Sequence, residues 1–284
     1  MILFANKKMV PCLKNIWAQS FIDDTKEQID LFFDEKFKCE STVVYEENNE
    51  IVSVIYMLEC EIIQENLPQK AICIYAAATK KGHEKKGYMS ALLEYVKQYA
   101  AKNYISAIIL HPGSESLRKY YEKRGYNSLY SVNYLKMTRE QAKTLAQNGK
   151  TEKFSVEKLL NIRNSTLSND GSILWNERSI EYAVSFYSTM NGTVFCTNQS
   201  YALYYEDYKR VFIEEFFGTK EDFCVLLSEL LSKYSSNAFE FTFANSIELG
   251  LNTKSKGSAM ILFSNSLKAP LKISKNAFAG LNLR

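Results

Sequence analysis

Residues 72–93 constrain this chain more than any other stretch. They open as Ile-Cys-Ile-Tyr-Ala-Ala-Ala, pass through a polar, basic loop around Gly82, and from Gly87 take up apolar residues at helical spacing (Met89, Leu92, Leu93). A buried strand that runs through a glycine-containing loop into a helix is an α/β element, and it creates an anion site as it folds. The first helical turn presents backbone N–H groups with no intrahelical partner and a partial positive charge. Gly87 lets the backbone approach a pyrophosphate, while Lys80, Lys81, Lys85 and Lys86 add longer-range attraction for a polyanion. A solvated lysine-rich loop has the same composition, so the loop alone leaves both readings open. Two other phosphate loops are absent: there is no G-x-x-x-x-G-K-[ST], and Gly82 with Gly87 does not give G-x-G-x-x-G.

What surrounds this segment sets its context. A length of 284 residues allows one large domain or two ordinary ones, and two is the better fit to the usual size of a single core. Composition that is 46% hydrophobic and 24% charged excludes a disordered chain. A net charge of +3 is too weak to imply a nucleic-acid partner, so any basic function must be local. The six cysteines (Cys12, Cys39, Cys60, Cys73, Cys196, Cys224) are scattered, with no C-x-x-C pair and none near a histidine, so neither a metal site nor a disulfide framework is expected. The apolar start is broken at once by Lys7 and Lys8, unlike a secretory signal, and no apolar run reaches the ~20 residues that span a bilayer. A cytoplasmic protein without a membrane partner is the expectation.

Along the chain, periodicity predicts two amphipathic helices over 8–36 and a strand at 41–45 paired through a polar turn with 51–63. A third strand follows at 71–78, then a helix from 87, a strand at 105–110, a helix over 114–124 and a strand over 126–137. A helical stretch near 139–146 leads to Gln-Asn-Gly-Lys at 147–150, the best linker in the chain. This gives domains at 1–146 and 151–284. In the second half the order recurs: helices at 155–167 and 177–190, strands at 193–197, 201–206 and 210–217, a helix over 221–234, and strands at 239–244, 259–264 and 277–283. Duplication and two unrelated α/β domains both satisfy this pattern.

The strand, loop and helix resemble the GNAT (general N-acetyltransferase) superfamily, in which a strand precedes an Arg/Gln-x-x-Gly-x-Gly/Ala loop and a helix with an apolar Leu-Leu pair. Here Glu84-Lys-Lys-Gly-Tyr-Met89 and Leu92-Leu93 occupy that frame. A second segment, Leu110-His-Pro-Gly-Ser-Glu-Ser-Leu-Arg-Lys-Tyr-Tyr-Glu-Lys-Arg-Gly-Tyr126, is similar to the family's strand, turn and helix closing on Tyr-Glu-Lys-x-Gly-Phe. The chain departs from the pattern at Glu84, at Met89 in place of a small residue, and at Ser114 where many members have Asn. The resemblance implies an α/β (α+β) fold of two GNAT-like domains, each a mixed, mostly antiparallel sheet flanked by helices. The first would be the acetyl-CoA-binding catalytic domain and the second, which has no phosphate loop between its strand at 210–217 and its helix, a degenerate copy of the kind found in bacterial two-domain members.

It also implies roles. Backbone groups of Ala76, Ala77 and Ala78 would pair with the pantetheine arm, and the N–H groups of Lys85, Lys86, Gly87, Tyr88 and Met89 would hold the pyrophosphate, with Ser114 and Ser116 also at the cofactor. Tyr121 falls where the family places the tyrosine that protonates the departing thiolate. In related two-domain enzymes the terminal carboxylate serves in catalysis, which nominates Arg284. The acceptor would be a small-molecule or peptide amine, with acetyl-CoA as co-substrate and no metal. A base for the amine is left open between Glu59 and Glu61, which share one strand face, and His111. Acidic clusters at Asp23, Asp24 and Glu27 and at Glu46, Glu47 and Glu50 would suit a cationic amine or simply be solvated turns and helix caps. A non-catalytic acyl-CoA-binding or partner-binding module is the alternative to an enzyme.

Overall fold

A computed structural model of the chain describes residues 1–264 and 272–281. The residues divide into two units that each take chain from both halves. The first comprises Met1–Ile62, Pro68–Asn127 and the segment that begins at Met260; the second comprises Ile63–Leu67, Ser128–Ala259 and the segment from Lys272.

The first unit opens with β1 (Ile2–Phe4) and two helices, α1 (Val10–Ser20) and α2 (Lys26–Glu35). The start of α2 is fixed by a capping box: Thr25 accepts from the N–H of Gln28 while the Gln28 side chain accepts from that of Thr25. Strands β2 (Thr42–Glu47), β3 (Glu50–Gln64) and β4 (Leu67–Thr79) follow. Asn48 and Asn49, both with positive φ, make the tight β2–β3 turn, and Glu65 and Asn66 repeat it before β4. Helix α3 (Tyr88–Lys102), β5 (Ala107–Leu110) and α4 (Glu115–Glu122) complete this stretch. The strands lie in the order β1-β2-β3-β4-β5 and then β13 (Met260–Phe263), which arrives from the far end of the chain. β4 and β5 are parallel, joined through α3, whereas β13 runs antiparallel to β5. Ile72, Ile74, Ile108 and Leu110 of the sheet pack with Leu92, Leu93 and Val96 of α3 and with Tyr121 of α4, so burial of the strand and of the helix is one event.

The second unit is built from β6 (Ser131–Thr138), α5 (Arg139–Leu145), α6 (Val156–Thr166), β7 (Ile173–Leu174), α7 (Glu177–Ser188), β8 (Thr193–Cys196), β9 (Tyr201–Asp207), β10 (Arg210–Phe217), α8 (Lys220–Lys233), β11 (Ala238–Phe243) and β12 (Lys254–Gly257). Its sheet runs β12-β6-β11-β10-β9-β8, with β10 and β11 parallel and the other pairs antiparallel. Each unit is thus a mixed, mostly antiparallel sheet flanked by helices.

The expected division of the chain at 147–150 meets a different arrangement. These residues lie inside the second unit, where Gln147 N–H donates to the carbonyl of Cys224 at 3.0 Å. The reason is an exchange of strands: β6, read with the first half, lies beside β11, and β13, read with the second, lies beside β5. The strand expected at 277–283 is absent over 277–281, where side chains bond the Ala279 carbonyl and the Leu281 N–H while the Phe278 carbonyl accepts from Ile173 N–H at 2.9 Å; residues 282–284 lie outside the described residues. The structure adds β1 and β12, which are too short to leave a periodic signal. All six cysteines are free. Among the described residues no helix is long and apolar enough to cross a membrane.

Candidate active site

The central feature is the point at which β4 and β5 part. Their parallel pairing runs from Ala71↔Ala107 to Ile74↔Leu110 and stops, while β4 continues to Thr79. Just past the last pair Ala76 has φ +42°, an uncommon conformation for a residue with a Cβ. On the far side β4 stays tied to β3, with Ser53 Oγ donating to the Ala78 carbonyl at 2.9 Å and Lys80 N–H donating to the Val52 carbonyl at 2.8 Å. Among the described residues no strand pairs with the β5-facing edge of Ala76, Ala77 and Ala78, and their small side chains would let an extended ligand lie there as an added strand.

The loop after β4 is ordered by its own side chains. Lys80 pairs with Glu50, which holds the Glu50 carboxyl below the usual range, and His83 Nε2 lies 3.7 Å from the same carboxylate. Glu84 folds back on the loop: Gly82 N–H donates to its Oε2 at 2.7 Å, and the N–H groups of Glu84 itself and of Gly82 hold its carboxyl below the ordinary value. The residue that departs most from the family pattern is therefore a brace for the loop. Lys85 (φ +63°) and Gly87 (φ +90°) turn the chain into α3. At Gly87 a side chain would meet open space, so the left-handed backbone is what calls for glycine there. As N-cap, Gly87 brings no side-chain acceptor, and the first turn contains no acid. The N–H groups of Tyr88, Met89 and Ser90 thus end the helix without a side-chain cap, the arrangement that takes an anion.

Tyr88 is buried, packs its ring at a tilt against Tyr45 with centroids 4.8 Å apart, and donates to Glu47, which pushes its phenol up to about 12. Across the site, Ser114 caps α4 by accepting from Leu117 N–H at 3.2 Å, and its hydroxyl lies 2.9 Å from that of Ser116. That cap starts the helix that carries Tyr121. The Tyr121 ring lies 5.4 Å from Tyr120 and 5.6 Å from Tyr126, and burial pushes its phenol up to about 12. One residue past the last β5 pair, His111 has its Nε2 buried with no hydrogen-bond partner, and burial brings its imidazole down to about 4.

The strands and helices of the first unit thus assemble Ala76 to Ala78, Lys85 to Met89, Ser114, Ser116 and Tyr121 in one domain. Arg284 lies outside the described residues. Glu59 and Glu61 are exposed, and Glu59 pairs with Lys38 at 3.1 Å. The acidic clusters are engaged locally, Asp24 accepting from Trp17 Nε1 at 2.7 Å and Glu47 and Glu50 bonded as above. Among the described residues no group of three or more His, Cys, Asp or Glu is placed to hold a metal ion. Sequence reasoning passed over Ser90 and Arg124, which the fold joins: Arg124 Nη2 donates to Ser90 Oγ at 2.6 Å. The single signal for this contact was the position of Ser90 in the first turn of α3.

Comparison with known proteins bears on the fold that carries these residues. Residues 3–129 match the acetyltransferase (GNAT) domain family. No curated protein matches the sequence significantly. Among solved structures, a protein of Enterococcus faecalis V583 described as a probable N-acyltransferase superposes with a TM-score of 0.72 at 15% identity, over 94% of this chain and 73% of that one. A GCN5-related N-acetyltransferase from Anabaena variabilis ATCC 29413 gives 0.74 at 12% identity, over 93% and 73%. Eis1 from Mycobacterium abscessus gives 0.68 at 10% identity, over 93% and 74%. At these identities the structures speak to fold, and the fold is shared across both units.

Proposed function

From a first unit that belongs to the GNAT acetyltransferase family, we propose that this chain transfers the acetyl group of acetyl-CoA to a primary amine by direct attack in a ternary complex. The observation that carries the reading is the end of the β4–β5 ladder at Ile74↔Leu110 beside a helix with no side-chain cap. An edge open to an extended arm and a nearby cluster of unpaired N–H groups fit the two ends of a pantetheine pyrophosphate. Ala76, Ala77 and Ala78 would hold the arm by backbone pairing; Lys85 to Met89 would hold the pyrophosphate through N–H groups, with Ser114 and Ser116 at the rim. The second unit, in this reading, is the degenerate partner.

Acetyl-CoA supplies a thioester whose thiol, of pKa ~8.5, is a fair leaving group. Tyr121, with its phenol pushed up to about 12, keeps its proton through neutral pH and holds it for the departing sulfur. His111, uncharged at neutral pH, has an acceptor nitrogen for the proton of the amine.

Calorimetric titration with acetyl-CoA, followed by thiol release across a panel of amines, tests the proposal. Micromolar binding and turnover on at least one amine are expected; binding without turnover on any amine makes the chain an acyl-CoA-binding module instead. Tyr121→Phe should lower kcat by about 100-fold or more with KM for acetyl-CoA little changed; an unaltered kcat removes the assigned acid.

A further inference from the structure

A short segment of the second unit is held the way a protein holds a peptide. Residues 277–281, Ala-Phe-Ala-Gly-Leu, carry no polar side chain, so every polar group they offer is backbone. Those groups are met in turn. Ile173 N–H donates to the Phe278 carbonyl at 2.9 Å, Trp175 Nε1 and Arg163 Nη2 donate to the Ala279 carbonyl at 2.9 and 3.4 Å, and Leu281 N–H donates to Glu215 Oε2 at 3.1 Å. Phe278, the one ring in the segment, is buried with its centroid 5.6 Å from that of Phe217. Main-chain bonds for affinity and a side-chain pocket for specificity are the terms on which a groove takes an extended peptide.

The cradle is otherwise complete. Arg163 and Glu215 are 0% and 2% exposed, and the rest of the unit uses only part of each. Arg163 gives Nε to Glu215 Oε1 at 3.1 Å and Nη1 to the Ile173 carbonyl at 2.8 Å, and the Tyr201 hydroxyl donates to the same Oε1. What remains is Arg163 Nη2, Glu215 Oε2 and the Trp175 N–H, three buried polar groups whose partners come from residues 279 and 281. With no backbone lying there, all three would be buried unsatisfied, so the cradle demands an occupant. Shape then selects which one. Gly280 has φ +58°, and a Cβ on it would stand 2.4 Å from Arg163 Nη2 and 2.5 Å from Glu215 Oε2.

We propose that Arg163, Trp175 and Glu215 form a peptide-binding site in the second unit, that it takes extended, uncharged segments of the form Phe-small-Gly-apolar, and that residues 277–281 are its ligand in cis. The carbonyl before the glycine meets the two donors, the N–H after it meets the carboxylate, and the ring two places before it packs on Phe217 with the guanidinium 5.9 Å from both ring centres. Because these contacts go to backbone and one ring, the same segment supplied in trans satisfies them equally. The site is independent of the acetyl-CoA reading given above.

The test uses the full chain and a fluorescently labelled peptide, Ser-Lys-Asn-Ala-Phe-Ala-Gly-Leu, which copies residues 274–281. In Gly280→Val the chain's own segment collides with the cradle and leaves it, so anisotropy should show micromolar binding of the peptide. The parent, filled in cis, should bind it more weakly by about 100-fold or more, because its own segment competes at a high effective concentration. A peptide with valine in place of the glycine should bind neither chain. Adding Trp175→Phe to Gly280→Val keeps an aromatic ring but removes the N–H, and should weaken the peptide by about 10-fold. Equal binding by parent and Gly280→Val, binding by neither, or a variant that takes both peptides alike overturns the proposal. Should Gly280→Val lose its fold by circular dichroism, Phe278→Ala, which empties the anchor pocket without a collision, decides by the same criteria. Loss of fold in both variants makes residues 277–281 part of the core and overturns the proposal as well.

Discussion

Two parallel strand pairs among the described residues, β4–β5 and β10–β11, start from one design and end in opposite chemistry. Pairing stops at Ile74↔Leu110 in the first and at Ile213↔Phe241 in the second, and in both the longer strand runs on past an irregularity, Ala76 with positive φ in β4 and a register shift at Ile213/Glu215 in β10. At matching distances beyond the last pair β4 has Ala76, Ala77 and Ala78, whereas β10 has Glu215, Phe216 and Phe217. Phe216 and Phe217 fill the core, and Glu215 meets Arg163 Nε at 3.1 Å and the hydroxyl of Tyr201. The second unit then bonds its own chain where the first has an open edge. Leu281 N–H donates to Glu215 Oε2 at 3.1 Å, Trp175 Nε1 donates to the Ala279 carbonyl at 2.9 Å, and Arg163 reaches the same carbonyl. Gly280, at φ +58°, lies so close to Arg163 and Glu215 that any Cβ would collide with both.

The helix starts differ in the same sense. α3 begins at a bare glycine, whereas α8 begins at Thr219, which accepts from Asp222 N–H while Asp222 reaches back, a complete capping box. A binding site in this fold needs groups that the protein leaves unsatisfied, and the second unit has satisfied them. The same contrast extends to the helices beneath: at the same distance from the start of α1 and α6 stand Trp17, in an aromatic cluster with Phe32, Tyr56 and Tyr75, and Arg163, in the ionic one.

Breaking the ionic plug should give the largest effect. Glu215→Ala leaves the fully buried Arg163 without a counter-charge and should lower the unfolding free energy of the second unit by about 3–5 kcal/mol, read from urea denaturation. Arg163→Met combined with Glu215→Leu should restore much of that loss, because a buried ion pair replaced by apolar groups is often neutral. A Glu215→Ala chain as stable as the parent shows that the pair does not hold the unit. Converting the first helix start to the second kind comes next. Gly87→Asp puts a carboxylate at the N-cap of α3, where it accepts the N–H groups proposed for the pyrophosphate and repels the phosphates. Acetyl-CoA affinity should fall by about 100-fold with the helix retained; calorimetry showing parental affinity removes the pyrophosphate from this turn.

The sequence made the first of these two regions legible and hid the second. The alanine strand, Gly87 and the Leu92-Leu93 helix announce themselves because local backbone and small side chains do the work. The expected fold of two mixed sheets also follows from periodicity, since the elements recur in order. What periodicity does not report is which sheet a strand joins: β6 and β13 are exchanged between the units, and their alternation satisfies either sheet. The plug was equally silent, because Arg163, Glu215 and residues 279–281 are far apart in the chain and a strand-like apolar ending reads as a strand until side chains are seen to take its hydrogen bonds. Arg124 was lost in a lysine-rich helix end for a like reason: only the fold shows which cation touches the first turn of α3.

The smallest of the expected effects concerns acid, and it too separates the pairs. His111 stands just beyond the last residue of the β4–β5 ladder, and Thr242 holds the corresponding place in β11, so a histidine stands in one where the other has a threonine. The unfolded chain protonates this histidine near pH 6.5, but the folded site resists until about 4 because the ring is buried and its Nε2 has no partner. Between those values the unfolded state binds the extra proton, so stability falls as pH drops through that window and is complete above it. At pH 5 the contribution of His111 to that fall is about 2 kcal/mol. His111→Asn, close in size and unable to titrate there, should lose correspondingly less stability between pH 7.5 and pH 5, measured as urea midpoints of both chains at both pH values. Parallel losses in the two chains would mean that the imidazole is already hydrated or paired in the folded state, and would withdraw it as the neutral acceptor beside the open edge of β4.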